Sequence, residues 1–189
     1  PFELVTLEKV DNERDRVLTY KEYDSLIAAA AESKLLILRD FIEFLYCTGA
    51  RYSEAMNLLR DDVDFEKKVG TFRDTKNGED RTIPLADNVL VILKRYPFGK
   101  TFFRVTSYDS YNWFFNQACK RAGIEDFVSH DLRACFITNA LLSGMSEAAV
   151  AAISGHKDFR SMKRYTRIKA QDLIEDVNNI TAIKENKNR

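Results

Sequence analysis

Asn77-Gly78 is the feature that most constrains the fold of this chain. A type I′ turn needs positive φ at both central positions, and this dipeptide supplies it at least cost, so a β-hairpin is expected here. The flanks agree. Val69-Gly70-Thr71-Phe72 reads as the outgoing strand and Arg81-Thr82-Ile83-Pro84 as the return. Val63-Asp64-Phe65 alternates just upstream, with Glu66-Lys67-Lys68 as an intervening turn. Pro84 has no N–H to donate, so it belongs at a strand end or on a sheet edge. The remaining pattern is helical. The expectation is therefore an α+β chain, mostly helical, with one small three-stranded antiparallel sheet.

Thr19-Tyr20-Lys21-Glu22 has capping-box form and opens a helix through about Ala31. A second helix is predicted from about Lys34 to Cys47, ended by Gly49, and a third from Tyr52 or Ser53. Further helical patterns cover about 86–96, 110–122, 131–143, 146–154, 158–166 and 170–177. Gly123 and Gly144 are placed to cap two of them.

At 189 residues, with 45% hydrophobic and 31% charged residues, the chain is long enough for one well-filled core. No stretch approaches the roughly 18 apolar residues of a membrane span, and no basic-then-apolar leader opens the sequence. Cys47, Cys119 and Cys135 have no CxxC spacing. Buried reduced thiols, and with them an intracellular protein, are expected. The first residue is Pro1, which suggests a segment of a longer protein. Net charge is zero, but residues 1–32 hold eight acids against four bases, which leaves the rest of the chain basic. Lys157, Arg160, Lys163, Arg164, Arg167 and Lys169 crowd around Tyr165. Such a local patch suits phosphate contacts; a solvated helix face would look the same.

Both histidines of the chain fall in its second half, in Ser129-His130-Asp131-Leu132-Arg133 and in Gly155-His156. His130 and Arg133, three apart, can grip one anion; a capping histidine with an exposed arginine is the plainer alternative. Arg51 follows Thr48-Gly49-Ala50 at a helix start, where a cation joins exposed N–H groups, and Glu54 can orient it. Lys76 stands beside the hairpin turn, with Arg73 and Arg81 as rivals for any role. His156 otherwise reads as a C-terminal capping residue. Tyr165 needs neighbouring cations to become a nucleophile, and a half-buried packing tyrosine is the usual alternative. Two histidines do not make a metal site without Cys, Asp or Glu at ligand spacing, so no metal and no cofactor are expected.

The order of these residues is more specific than any one of them. Thr48-Gly49-Ala50-Arg51-Tyr52-Ser53-Glu54, Thr75-Lys76-Asn77-Gly78, Ile83-Pro84-Leu85, His130-Asp131-Leu132-Arg133 and Gly155-His156-Lys157, followed by Tyr165, resemble the tyrosine recombinase (phage integrase) family. The resemblance runs from about Leu18 to Tyr165. It implies that Arg51, His130 and Arg133 bind and activate a scissile DNA phosphate, and that Lys76 protonates the leaving 5′ oxygen. His156 would donate to a nonbridging oxygen, and Tyr165 would attack to form a 3′-phosphotyrosyl link, without metal. Ala134-Cys135 stand where family members often have His-Thr, and Met162 where Thr is common.

The resemblance further implies a catalytic domain over residues 1–168, and a C-terminal helix and tail over 169–189 that docks on a neighbouring protomer or packs in cis. The family's N-terminal core-binding domain is absent from this chain, so weak DNA binding is expected of it alone. The implied partners are double-stranded DNA carrying a target site and other protomers in a tetramer on that DNA, with the chain monomeric by itself. An integrase of a mobile element, a chromosome-dimer or plasmid resolution recombinase, and an inactive DNA-binding regulator of the same fold are the readings the sequence leaves open.

Overall fold

The computed structural model describes residues 16–73, 78–105 and 107–156. Seven helices and a three-stranded antiparallel sheet make up these residues. In chain order they are α1 (Tyr20–Ala31), α2 (Leu38–Thr48), α3 (Tyr52–Asn57), β1 (Val63–Asp64), β2 (Val69–Phe72), β3 (Arg81–Pro84), α4 (Asp87–Lys94), α5 (Tyr108–Arg121), α6 (Asp131–Leu142) and α7 (Glu147–Ser154). The expected helices over 158–166 and 170–177, the basic cluster around Tyr165 and Met162 lie outside the described residues.

Local signals account for most boundaries. Thr19 accepts the Glu22 N–H, and Glu22 accepts the Thr19 N–H, which completes the capping box of α1. Gly123 and Gly144 hold left-handed φ one residue beyond the caps of α5 and α6. The second helix begins at Leu38, four residues later than its periodicity predicts. Ser33 accepts the Leu35 N–H at 3.1 Å, and this side-chain turn competes with helix for the same backbone donor.

The sheet order is β1-β2-β3, with Pro84 closing the edge strand β3. Thr71 and Thr82 share a cross-strand hydrogen bond of 2.9 Å. The register departs from a tight Asn77-Gly78 hairpin. Such a turn would carry Phe72 opposite Ile83; instead Phe72 pairs with Arg81 and Gly70 with Ile83. The two-residue shift leaves every side chain on its face, so burial alone does not choose between the registers. The observed one sets the Arg81 guanidinium 5.2 Å from the Phe72 ring centre. Asn77 itself lies outside the described residues.

Aromatic rings fill the main core. Phe41 on α2 meets Phe103 and Tyr111 edge-on at 5.0 and 5.1 Å, and Phe44 meets Phe103 at 5.2 Å. Offset and edge contacts of this kind add to plain burial. A second, smaller core of Ile137, Leu141, Val150 and Ala151 lies between α6 and α7. Thus α6 is packed on both sides, against α2 and against α7. All three cysteines are free, with Cys119 and Cys135 buried and Cys47 half-buried. Burial pushes the Cys119 thiol up to about 12 and Cys135 to about 11, so both are unreactive packing groups. No helix among the described residues is long and apolar enough to cross a membrane.

Candidate active site

The turn between α2 and α3 is built by its own sequence. Thr48 donates from Oγ1 to the Phe44 carbonyl at 2.7 Å and accepts the Ala50 N–H at 3.3 Å. Gly49 follows at φ +62°, and a methyl group there would overlap the Phe136 ring of α6. Only glycine meets both demands without strain. The chain then leaves the turn with Arg51 at the N-cap of α3.

Arg51 is fixed by Glu54. Its backbone N–H donates to Glu54 Oε2 at 2.8 Å, and its Nη1 donates to Oε1 at 2.7 Å. The Glu54 side chain is 4% exposed, whereas an ordinary surface i,i+3 pair would lie open to water. Burial alone would raise its pKa. Hydrogen bonds from Arg81 and then from Arg51 outweigh burial and hold the carboxyl below its ordinary value.

Arg133 projects from the first turn of α6 and is 4% exposed. It is therefore not the surface arginine of the plainer alternative. Nη1 donates to the Gly49 carbonyl at 2.7 Å, and Nη2 donates to the Ser154 carbonyl at the end of α7. His156 sits beside it, with Nδ1 3.3 Å from Arg133 Nη2 and 2.8 Å from Ser154 Oγ. Its ring does not cap α7. The helix ends instead on left-handed Gly155, whose N–H and that of His156 both donate to the Ala151 carbonyl. Ser154 is fully buried and donates from Oγ to Val150 at 2.6 Å.

His130 occupies the N-cap position of α6, exposed and with no side-chain capping bond. It lines a pocket of about 60 Å³ with Arg133, Tyr52 and Tyr108 among others. Tyr52 and Tyr108 meet edge-on at 4.9 Å, and burial raises the Tyr52 pKa. Sequence reasoning passed over both tyrosines. Their only local signal is position, Tyr52 directly after Arg51 and Tyr108 opening α5.

The structure thus brings Arg133, His156 and the turn leading to Arg51 into one hydrogen-bonded unit, with His130 on the same pocket wall as Arg133. Lys76 and Tyr165 lie outside the described residues. The rivals of Lys76 are accounted for. Arg73 is engaged with Asp62 through Nε at 2.7 Å, and Arg81 is buried on Glu54. Arg133 and His130 line one small opening, and a fixed guanidinium donor beside an imidazole suits an oxyanion or phosphate.

Against known proteins, the family model described as "Phage integrase family" matches residues 16–172. The chain belongs to the phage integrase family. A shufflon-specific DNA recombinase of Escherichia coli is 33% identical over 178 residues, covering 92% of this chain and 46% of the relative. Tyrosine recombinase XerA of Saccharolobus solfataricus is 32% identical over 136 residues, covering 70% of this chain and 46% of the relative. The chain therefore spans about half the length of these relatives. Among solved structures, the fold matches a XerA recombinase with a TM-score of 0.71 at 24% identity, over 87% of this chain and 64% of that one. It also matches the catalytic domain of bacteriophage HP1 integrase with a TM-score of 0.66 at 24% identity, over 84% and 93%. The expected fold class holds.

Proposed function

We propose that this chain carries the catalytic domain of a site-specific DNA recombinase that cuts and rejoins strands through a phosphotyrosine. The observation that supports it most is the Arg133 guanidinium, buried and gripped by the Gly49 and Ser154 carbonyls with His156 against it. Neutral carbonyls orient a guanidinium without cancelling its charge. Relatives named as a shufflon-specific recombinase, a XerA recombinase and a phage integrase point the same way. So do related integrase structures solved in complex with DNA.

In this reading Arg51, His130 and Arg133 bind the scissile phosphate and meet the charge that develops on its equatorial oxygens. Nδ1 of His156 lies against Ser154 Oγ and Arg133 Nη2, so Nε2 is the nitrogen assigned to a nonbridging oxygen. Tyr165 gives its phenol proton to His130 as its oxygen attacks phosphorus, and it stays bonded to the 3′ phosphate; Lys76 gives its own proton to the departing 5′ oxygen. Rejoining reverses these steps with the 5′ hydroxyl of the exchanged strand, and the bond energy is retained throughout. Residues 1–168 form the catalytic unit, and 169–189 form a tail that docks on a neighbouring protomer in a tetramer on DNA. The setting is cytoplasmic.

The test is a library of nicked duplexes of randomised sequence, incubated with the full-length protein and resolved on a denaturing gel. A nick just downstream of the cut site lets the short fragment carrying the new 5′ hydroxyl diffuse away and traps the covalent adduct. The expected result is an adduct in the wild type that is lost in Tyr165→Phe, with sequencing of the trapped DNA giving the target site. No adduct with any duplex would overturn the proposal.

A further inference from the structure

We propose that Arg81 is a positioning residue for strand cleavage: it neutralises the buried Glu54 carboxylate so that Arg51 presents a net positive charge to the phosphate. The inference rests on the phosphate-grip reading above.

Glu54 is shared between two arginines. Oε1 accepts from Arg51 Nη1 at 2.7 Å and from Arg81 Nη1 at 3.0 Å. Oε2 accepts from the Arg51 backbone N–H and from Arg81 Nη2, both at 2.8 Å. Arg51 and Glu54 alone sum to zero charge, and a carboxylate this close offsets most of the attraction Arg51 has for an anion. With Arg81 included, the cluster carries one net positive charge.

Arg81 does not touch the phosphate itself. Its side chain is 9% exposed and is enclosed by Phe72 on its own sheet and by the Gly155 backbone. Any side chain at position 155 would overlap Arg81 Nη1, so the arginine also fixes the approach of the residue before His156. Its Nε is buried with no partner among the described residues. A buried donor left unmade destabilises a fold, and an apolar side chain would avoid that cost. The arginine in this place therefore fits a role in setting charge better than a role in stability. One side chain joins β3, α3 and the end of α7, which ties the Arg51 charge to the His156 position.

The experiment measures single-turnover adduct formation by the full-length protein at saturating DNA, on a nicked duplex recovered from the selection above. Arg81→Met is expected to slow the step by ~10²-fold with DNA affinity little changed. The double variant Arg81→Met/Glu54→Gln is expected to regain roughly tenfold, because nothing then cancels Arg51. A packing role alone would give no such recovery. Arg81→Met within about threefold of wild type, or a folded double variant no faster than Arg81→Met, would overturn the proposal. If the methionine variants do not fold, Arg81→Lys decides. It keeps the charge and is expected within ~10-fold of wild type, and a loss as deep as that of Arg51→Ala would sink the idea. A wild type that forms no adduct removes the phosphate-grip reading; a wild-type adduct indifferent to Arg81 removes only this inference.

Discussion

Arg133 and Arg51 serve one site but are held in opposite ways. Arg133 is gripped by two backbone carbonyls, one from the α2–α3 turn and one from the end of α7. Arg51 is gripped by a carboxylate three residues along its own chain. Carbonyl dipoles orient a guanidinium without cancelling its charge. A carboxylate orients just as firmly but neutralises, and the Arg51 socket therefore requires a second arginine behind it. The carbonyl socket depends on three chain segments meeting correctly; the carboxylate socket depends on local sequence plus one buried counter-charge.

The largest effect that would break this contrast is loss of Arg133. Arg133→Ala is expected to lower the adduct rate by ~10³-fold. It should also destabilise the fold by about 2–4 kcal/mol, because the Gly49 and Ser154 carbonyls lose their partner. Thermal melting beside single-turnover cleavage checks both. Arg133→Lys keeps the charge but cannot span two carbonyls, so it should recover little of the rate. A lysine variant with wild-type activity would show that the carbonyl socket is dispensable.

Next comes the turn that supplies one of those carbonyls. Gly49→Ala must place a Cβ at φ +62° and against the Phe136 ring. A cost of about 2–3 kcal/mol is expected in chemical denaturation, with cleavage falling in parallel. An alanine variant that melts with the wild type would remove the steric reading of the turn.

Ser154→Ala is a finer probe. It deletes the 2.8 Å contact to His156 Nδ1 and leaves the Ser154 carbonyl on Arg133. A single hydrogen bond of about 1 kcal/mol corresponds to roughly fivefold in rate. Cleavage should drop by that factor while DNA affinity stays level. An unchanged rate would mean that the Arg133 contact alone sets the ring.

The smallest effect lies far from the site. Hydrogen bonds from Arg16 and then from the Thr19 N–H lower the Glu22 carboxyl from 4.5 to about 2. A carboxyl depressed in the folded state contributes stability that is fully present above the unfolded value and is lost as pH falls through the folded one. The loss attributable to Glu22 therefore falls between pH 4.5 and about 2. Glu22→Gln retains the capping geometry and should flatten the acid limb of the stability curve in that window. Cleavage at neutral pH should not change.

How much of this was legible in advance follows from the range of each interaction. The capping box of α1, the left-handed glycines and the small sheet depend on residues a few positions apart, and each shows in the sequence. The start of α2 did not, because the Ser33 turn competes with a helical pattern that is itself sound. The hairpin register was also hidden, since a two-residue shift preserves the alternation that a pattern detects. Among site residues, three motifs (Thr-Gly-x-Arg, His-x-x-Arg and Gly-His) marked Arg51, His130, Arg133 and His156 as chemically plausible. They carried no sign that Arg133 would be buried, or that Ser154 would sit on the His156 ring. Arg81 appeared only as a rival to Lys76.

The sequence by itself determined the elements, the order of the chemical residues and the family to which they belong, because periodicity, caps and motif spacing are short-range properties of the chain. Only the tertiary structure decided which cations stay charged. Arg133 meets a carbonyl 84 residues away and Arg81 a carboxylate 27 residues away. The effective charge of a buried arginine is set by whatever the fold brings against it, carbonyl, carboxylate or second guanidinium, and no local pattern encodes that partner.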